Sequence, residues 1–388
     1  MNQLMIATCP EEIKELVAEE LKALGGTAIE PGYRCVYFEC DEKAFYRMHL
    51  HSRLVSRFLK VIKQVPAQTP DILFNKAKRI RWPDYFSPRQ TFKLEGVQTE
   101  RGDDIMPSNL LERKVREGIV DSFQHHCNDV PKVDLQEPQV IIVAFWRRGK
   151  CMLSLDTTGK ALHKRGYRGS GHPAPVKETL AASMCKFMEY DGMKPFWDPM
   201  CGSGTIAIEA AMIALGKAPQ IHRKKGQFLF ENLQIFNRDL WRKVQDDARQ
   251  DKAEQLWAPI RATDIESRFI DMTKHNALKA RVERYMEFGV QDFFAKGPQE
   301  PEGIAITNLP YGERIGEDEA KAVEFYKRIG DHMKQNFKGW RVGLLVPMSA
   351  PHKFIGLKPA RRIPLLNGSI ECRFLIFDIY AGSRKGGG

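Results

Sequence analysis

No Cys-x-x-Cys pair occurs in this sequence of 388 residues, and its eight cysteines (9, 35, 40, 127, 151, 185, 201 and 372) nowhere fall in pairs of zinc spacing. A zinc ribbon or redox dithiol is thereby excluded, and reduced structural thiols are expected. Long hydrophobic runs are also missing. The longest, Val140 to Trp146, has seven residues, against about 20 for a bilayer span, so no transmembrane helix and no membrane partner are expected. The opening MNQLMIATCPEE meets a proline and two acids before an apolar signal region can form, which predicts a cytoplasmic protein. An acidic excess is absent too: 60 Lys and Arg stand against 49 Asp and Glu, a formal charge of +11, which favours a polyanionic partner.

Apolar residues make up 43% and charged residues 28%, the profile of a globular chain rather than a disordered one. At about 150 residues per domain the length predicts two to three domains. Between Arg53 and Arg116 there are 14 Lys and Arg against 7 Asp and Glu, so most of the net charge is concentrated in that stretch. The aromatics within it, Phe58, Phe74, Trp82, Tyr85, Phe86 and Phe92, are expected mainly in the core, while the charges point to RNA phosphates. A helix over Ser108 to His126 puts Leu111, Val115, Ile119 and Phe123 on one stripe and Arg113, Lys114 and Arg116 off it, a candidate RNA-binding face. His125, His126 and Cys127 read as the solvated end of that helix, and no metal is expected.

Before residue 160, helix-like stretches at Glu11 to Leu24, Asp41 to Leu59 and Ser108 to His126 alternate with short strand-like runs, an α+β pattern. After it, strands at 194–198, 260–264, 285–291, 303–307 and 341–346 alternate with helices at 175–188, 205–215, 266–281 and 319–336. That pattern predicts an α/β, doubly wound parallel sheet. Arg361 to Leu366 and Ser369 to Tyr380 flank Asn367-Gly368, which predicts an antiparallel hairpin closing the sheet. The tail from Gly382 has no packing side chains and is expected to be disordered.

Two segments carry the chemistry. In Phe196-Trp-Asp-Pro-Met-Cys-Gly-Ser-Gly-Thr-Ile-Ala207 a strand ends in an acid, a glycine loop turns and a helix begins, so Gly202 and Gly204 allow a ligand to approach backbone N–H groups. A dinucleotide site would place its ribose acid about 20 residues on. Here the next strand ending in an acid is Arg261 to Asp264, sixty residues after Gly204, which disfavours nicotinamide. The second segment, Ile304 to Arg314, ends a strand at Asn308-Leu309-Pro310-Tyr311. Transfer to an exocyclic amine needs two acceptors that aim the nitrogen lone pair and a flat clamp for the base. The Asn308 side-chain oxygen, the Leu309 carbonyl and the Tyr311 ring could supply them.

Asp198-Pro-Met-Cys-Gly-Ser-Gly-Thr, Asn308-Leu-Pro-Tyr-Gly-Glu-Arg, and the linking stretch Asp156 to Arg168 with Ala174 to Ala181 resemble THUMP-domain RNA methyltransferases of the RlmL type. These make N2-methylguanosine in large-subunit ribosomal RNA. The resemblance runs through nearly the whole chain. It implies S-adenosylmethionine as cofactor, a ferredoxin-like lobe over 1–50, a THUMP module over 51–158 and a class I (Rossmann-like) methyltransferase domain over 165–382. By motif, Asp198, Cys201, Gly202, Gly204 and Thr205 would hold the methionine and ribose side of the cofactor. Asp264 would take the ribose hydroxyls and Ile265 would line the adenine pocket. Asp292 would receive the adenine amino group, with Phe293 nearby. Lys177 and Glu178 would lie near the cofactor or form a surface ion pair. The RlmL branch usually has Asn-Pro-Pro-Tyr where this chain has Leu309, a place at which only the carbonyl is used. The second, guanine-N7 methylating domain of some large members is not expected in this chain. The resemblance thus points to guanine-N2 methylation of 23S ribosomal RNA. Transfer RNA is the nearest alternative substrate, and a silent RNA-binding assembly factor the alternative from another class.

Overall fold

The computed structural model describes residues 2–98, 106–168, 176–310 and 319–380, and these form two compact units. One holds the chain up to Leu162 together with Arg223–Asp246, and the other holds His163–His222 and the chain from Asp247 onward. Tyr311 and the tail from Gly382 lie outside the described residues.

The first unit runs β1 (Gln3–Thr8), α1 (Lys14–Ala23), β2 (Thr27–Pro31), β3 (Cys35–Cys40), α2 (Glu42–His51), β4 (Arg57–Pro66), α3 (Pro70–Lys78), β5 (Phe92–Gln98), α4 (Ser108–Cys127), β6 (Val140–Arg147) and β7 (Lys150–Asp156). Its strands make one sheet in the order β2-β3-β1-β4-β7-β6-β5. The pleat alternates cleanly: Met5, Ala7, Val36 and Phe38 are buried on one face, while Ile6, Cys35, Leu59 and Val143 cluster on the other. The uninterrupted apolar run Val140 to Trp146 is β6, an inner strand between β7 and β5. From Val140 to Trp146 its residues are all buried or half-buried, so neither face is fully wet and the strand can be apolar throughout.

The expected helix from Asp41 to Leu59 is shorter than its sequence pattern suggests. The Asp41 side chain accepts the Ala44 N–H at 2.7 Å and starts α2, but the helix stops at His51 and the chain turns extended at Ser52. Glu20 causes the stop. Its carboxylate accepts the Ser52 hydroxyl at 2.6 Å and the Arg53 N–H at 2.8 Å, and residues from Arg57 then enter β4. Of the six aromatics in the basic stretch, Phe58, Trp82, Phe86 and Phe92 are fully buried, and Phe74 and Tyr85 are partly so. The core reading therefore holds for four of them.

The stretch between Gly204 and Asp264 carries an aromatic cluster. Within the first unit, the Tyr46 ring of α2 lies 5.3 Å from that of Phe230 and 5.7 Å from that of Trp241, and its hydroxyl accepts the Asn237 N–H at 2.8 Å. His49 is walled in by Phe58, Phe228 and Phe230, and burial pushes its imidazole down to about 3.

The second unit holds α5 (Glu178–Phe187), β8 (Phe196–Asp198) and α6 (Thr205–Ala214). After α7 (Arg238–Gln250) come β9 (Ile260–Asp264), α8 (Ser267–Lys279), β10 (Glu287–Val290) and β11 (Gly303–Asn308). The chain ends with α9 (Glu319–Asn336), β12 (Trp340–Pro347), β13 (Arg361–Asn367) and β14 (Ile370–Asp378). The sheet order is β10-β9-β8-β11-β12-β14-β13, with β14 antiparallel to both its neighbours. The predicted hairpin thus closes the sheet, its second strand placed inside. From β8 the chain moves outward through β9 and β10, then returns to β11 on the other side of β8. The order reverses between β8 and β11, and a ligand crevice forms at such a point, beyond the carboxyl ends of the strands.

Candidate active site

Strand register brings the predicted residues to this edge. Asp198 pairs with Ala262 of β9, and Trp197 with Ala305 of β11. Asp264 and Asn308 therefore each stand two residues, about 7 Å, beyond the level of Asp198, one on either side of it. The three share one parity of the pleat.

The loop from Pro199 to Gly204 is fixed from two sides. The Cys201 N–H donates to the Thr263 carbonyl at 2.9 Å, and the Gly202 N–H donates to Asp264 Oδ2 at 3.0 Å. From α8, the Thr273 hydroxyl donates to the Gly202 carbonyl and the Asn276 amide to the Ser203 carbonyl, both at 2.9 Å. Gly204 has φ +77°, and a Cβ there would stand 2.4 Å from Thr273 Cγ2. Glycine is thus required for helix–loop packing as well as for ligand approach. Thr205 then begins α6 and faces the Ser203 hydroxyl at 3.2 Å. Thr273 and Asn276 were not anticipated from the sequence. Their only signal is a polar pair at i, i+3 on an otherwise amphipathic helix.

Asp198 is fully buried, and neither of its carboxylate oxygens has a hydrogen-bond partner among the described residues. Burial, with the Asp264 carboxylate adding to it, pushes its pKa up to about 8, only partly offset by the nearby Thr307 hydroxyl and Met200 N–H. Asn308 Oδ1 is likewise buried without a partner among the described residues, while the Thr307 hydroxyl lies beside the Asp198 carboxylate. Unpaired buried acceptors are costly, and their gathering at a sheet edge makes this edge a candidate ligand site. Asp264 Oδ1 also accepts the Glu266 N–H at 3.1 Å, and Ile265 beside it is 65% exposed, which suits an apolar pocket wall.

The remaining residues divide. The Leu309 side chain is buried in the core, which leaves its carbonyl as its polar contribution, and Pro310 is half-buried. The Cys201 thiol lies 3.5 Å from the Thr273 hydroxyl, and burial raises its pKa well above the usual thiol range, so it is no nucleophile. Asp292 is exposed two residues past β10, its Oδ1 accepting the Phe294 N–H at 2.9 Å. The Phe293 ring packs against Trp197, His332 and Phe337 as part of the core. Lys177 is exposed, whereas Glu178 is buried and lies 3.9 Å from Arg168, so the two do not form the surface pair envisaged. In the linking stretch, Arg165 lies 3.5 Å from the buried Glu209 of α6, which also accepts the Tyr167 hydroxyl at 3.1 Å.

In the first unit, Arg113 and Arg116 are exposed on α4. Arg113 lies 3.8 Å from Glu117, and Lys114 lies 3.1 Å from Glu117 and 3.7 Å from Asp71. Acids are therefore interleaved in the expected basic face. No group of His, Cys, Asp and Glu able to hold a metal, and no helix long and apolar enough to cross a membrane, occurs among the described residues.

A mixed sheet with this reversal in its parallel part, a glycine loop after its first strand and an Asn-x-Pro turn after its fourth define a class I methyltransferase fold. Comparison with known proteins narrows the class. The RMKL-like methyltransferase domain matches residues 165–376, the THUMP domain 67–156 and the RlmL ferredoxin-like domain 4–59, and the chain belongs to this RMKL-like methyltransferase family. The Synechocystis protein slr0064, provisionally named an RNA methyltransferase, is 34% identical over 96% of each chain. The ribosomal RNA large subunit methyltransferase K/L of Shewanella frigidimarina is 33% identical over 98% of this chain. This chain spans only 53% of that relative's length. The crystal structure of SMU.472, a provisionally named methyltransferase complexed with SAH, is 25% identical, with a TM-score of 0.88 over 98% of this chain and 99% of its own.

Proposed function

We propose that this protein is an S-adenosylmethionine-dependent RNA methyltransferase that forms N2-methylguanosine, with 23S ribosomal RNA as substrate. The observation that carries the reading is the set of unpartnered buried acceptors, the Asp198 carboxylate and Asn308 Oδ1, at the switch point. The cofactor supplies an electrophilic methyl group. The glycine loop and Asp198 hold its methionine side, Asp264 its ribose hydroxyls, and Ile265 and Asp292 flank its adenine. Asn308 Oδ1 and the Leu309 carbonyl would accept hydrogen bonds from the two N–H groups of the guanine exocyclic amine and so aim its lone pair, with Tyr311 clamping the base. As the N–C bond forms the S–C bond breaks, S-adenosylhomocysteine leaves, and the surplus amine proton passes to solvent. No side-chain nucleophile takes part, and positioning is the main contribution to rate. The lobe over 1–50 and the THUMP module over 51–158 bind the RNA, Arg113 and Arg116 through phosphates and Lys114 from its place beside Glu117. The methyltransferase domain occupies 165–382.

Labelled cofactor, protein-free 23S RNA and unmodified transfer RNA, followed by nucleoside analysis, test the reading. Label should appear as N2-methylguanosine in the 23S RNA. Label in transfer RNA alone, or in another nucleoside, would overturn the substrate or the acceptor atom.

Proton linkage gives a second test. With its pKa near 8, Asp198 is mostly protonated at pH 7 in the free protein, and a cationic ligand group requires it ionised. Cofactor binding at pH 7 should therefore release close to one proton, and affinity should rise from pH 6 towards 8 by up to about tenfold per unit. Calorimetry in buffers of different ionisation enthalpy measures the release. Asp198→Asn should abolish it, and a wild type that releases no proton would refute the role.

A further inference from the structure

The second unit has a basic cavity at the edge of its sheet opposite the glycine loop. The helix α6 leads there: it starts at the loop and runs ten residues, about 15 Å, before Leu215 reaches the cavity wall. The volume is about 690 Å³, and Lys217, Arg249, Lys252, Arg281, Arg284 and His222 line it with a single acid, Glu283. Lys217 donates to the Ala280 and Arg281 carbonyls at 2.6 and 3.3 Å, so part of this charge serves the end of α8. The rest makes a concentrated positive field. Burial, reinforced by Lys252, Arg281 and Arg284, pushes Lys217 down to about 8. Partial burial, reinforced by Lys217, Arg281, Lys252 and Arg249, pushes His222 down to about 4.

A second cavity adjoins the first and shares Arg284 and Tyr285 with it, and Trp257 lines its wall. Trp257 is 78% exposed, the Arg284 guanidinium stacks 4.6 Å from the Tyr285 ring centroid, and Leu278 beside them is 61% exposed. In its cavity Trp257 has Arg284 and the Tyr285 ring as neighbours, with Glu254 and Glu287 on the same wall, and the adjoining cavity adds Lys252 and Arg281. Together they offer the two elements that hold unpaired nucleic acid, phosphate neutralisation and a stacking face.

We propose that this edge is a second RNA-binding site, at which Lys252, Arg281 and Arg284 engage backbone phosphates of a single-stranded segment and Trp257 stacks on one of its bases. The site lies the length of α6 away from the glycine loop. It would therefore hold a part of the RNA other than the modified nucleotide.

The test uses the full chain, a fluorescein-labelled 12-nucleotide oligouridine and anisotropy over a range of salt concentrations. Replacing Lys252, Arg281 and Arg284 together with Gln should weaken binding and reduce the slope of log K against log salt by about 2, at roughly 0.7 for each single-strand phosphate left without its cation. Trp257→Ala should weaken binding about five- to hundredfold without changing that slope. Calorimetric affinity for S-adenosylhomocysteine should stay at the wild-type value in both, which shows that the unit is folded. A triple variant with wild-type affinity and salt slope overturns the proposal. So does a neutral Trp257→Ala, or millimolar inorganic phosphate displacing the oligonucleotide from wild type with Trp257→Ala unaffected, because either would describe a simple anion pocket.

Discussion

Asn308→Ala should lower methyl transfer by roughly two to three decades, the scale for removing one preorganised polar interaction from the transition state, while the fold is unharmed. Its Oδ1 is buried without a partner among the described residues, so its removal breaks no hydrogen bond that those residues make to that oxygen. Removing an unsatisfied acceptor relieves a desolvation penalty of about 1 to 3 kcal/mol, so the melting temperature should be unchanged or slightly higher. The glycine loop, Asp198 and Asp264 are untouched, and cofactor affinity should stay within a few-fold. Single-turnover assays with labelled cofactor, together with thermal melting, measure all three. A wild-type rate, or a variant that fails because it melts early, would remove Asn308 from the chemistry.

Asp264→Ala should weaken S-adenosylmethionine binding by about one to two decades, because a charge-assisted hydrogen bond of about 2 to 3 kcal/mol is removed. The loop adds to the effect. Both Asp264 oxygens already accept backbone N–H groups, Gly202 and Glu266, so the alanine variant also frees the turn that cradles the ligand. Asp264→Asn keeps one acceptor oxygen and should fall between the two. Calorimetry on the three proteins decides the matter, and equal affinities would exclude Asp264 from the cofactor site.

The residues of this site that could be read from sequence are those in which an apolar strand ends abruptly in a polar group. Asp198, Asp264 and Asn308 each close such a run, and the turn residues beside them announce a loop. Thr273 and Asn276 escaped because their role depends on how α8 is rotated against a loop about 70 residues earlier in the chain, and nothing local encodes that. The end of α2 was hidden for the same reason, since Glu20 on another helix imposes it. The place of Phe293 was also hidden: the turn that begins at Asp292, whose side chain accepts the Phe294 N–H, sets its ring against Trp197 and Phe337, and those partners are distant in the chain. On α4 the apolar stripe was correct, but Glu117 and Asp71 occupy the space between the cations, and only three-dimensional neighbours could show that.

The aromatic cluster around Tyr46 bears on the order in which this protein can be made. The first unit borrows Phe228, Phe230, Asn237 and Trp241 from a segment that is translated only after β8 and α6 of the second unit. A nascent chain that has emerged as far as Leu162 has all seven strands of its first sheet but still shows water the ring of Tyr46 and the walls around His49. Completion of the N-terminal half must wait for residue 246. Any exchange of modules between related enzymes that cuts the gene near residue 162 would separate the RNA-binding half from part of its own core.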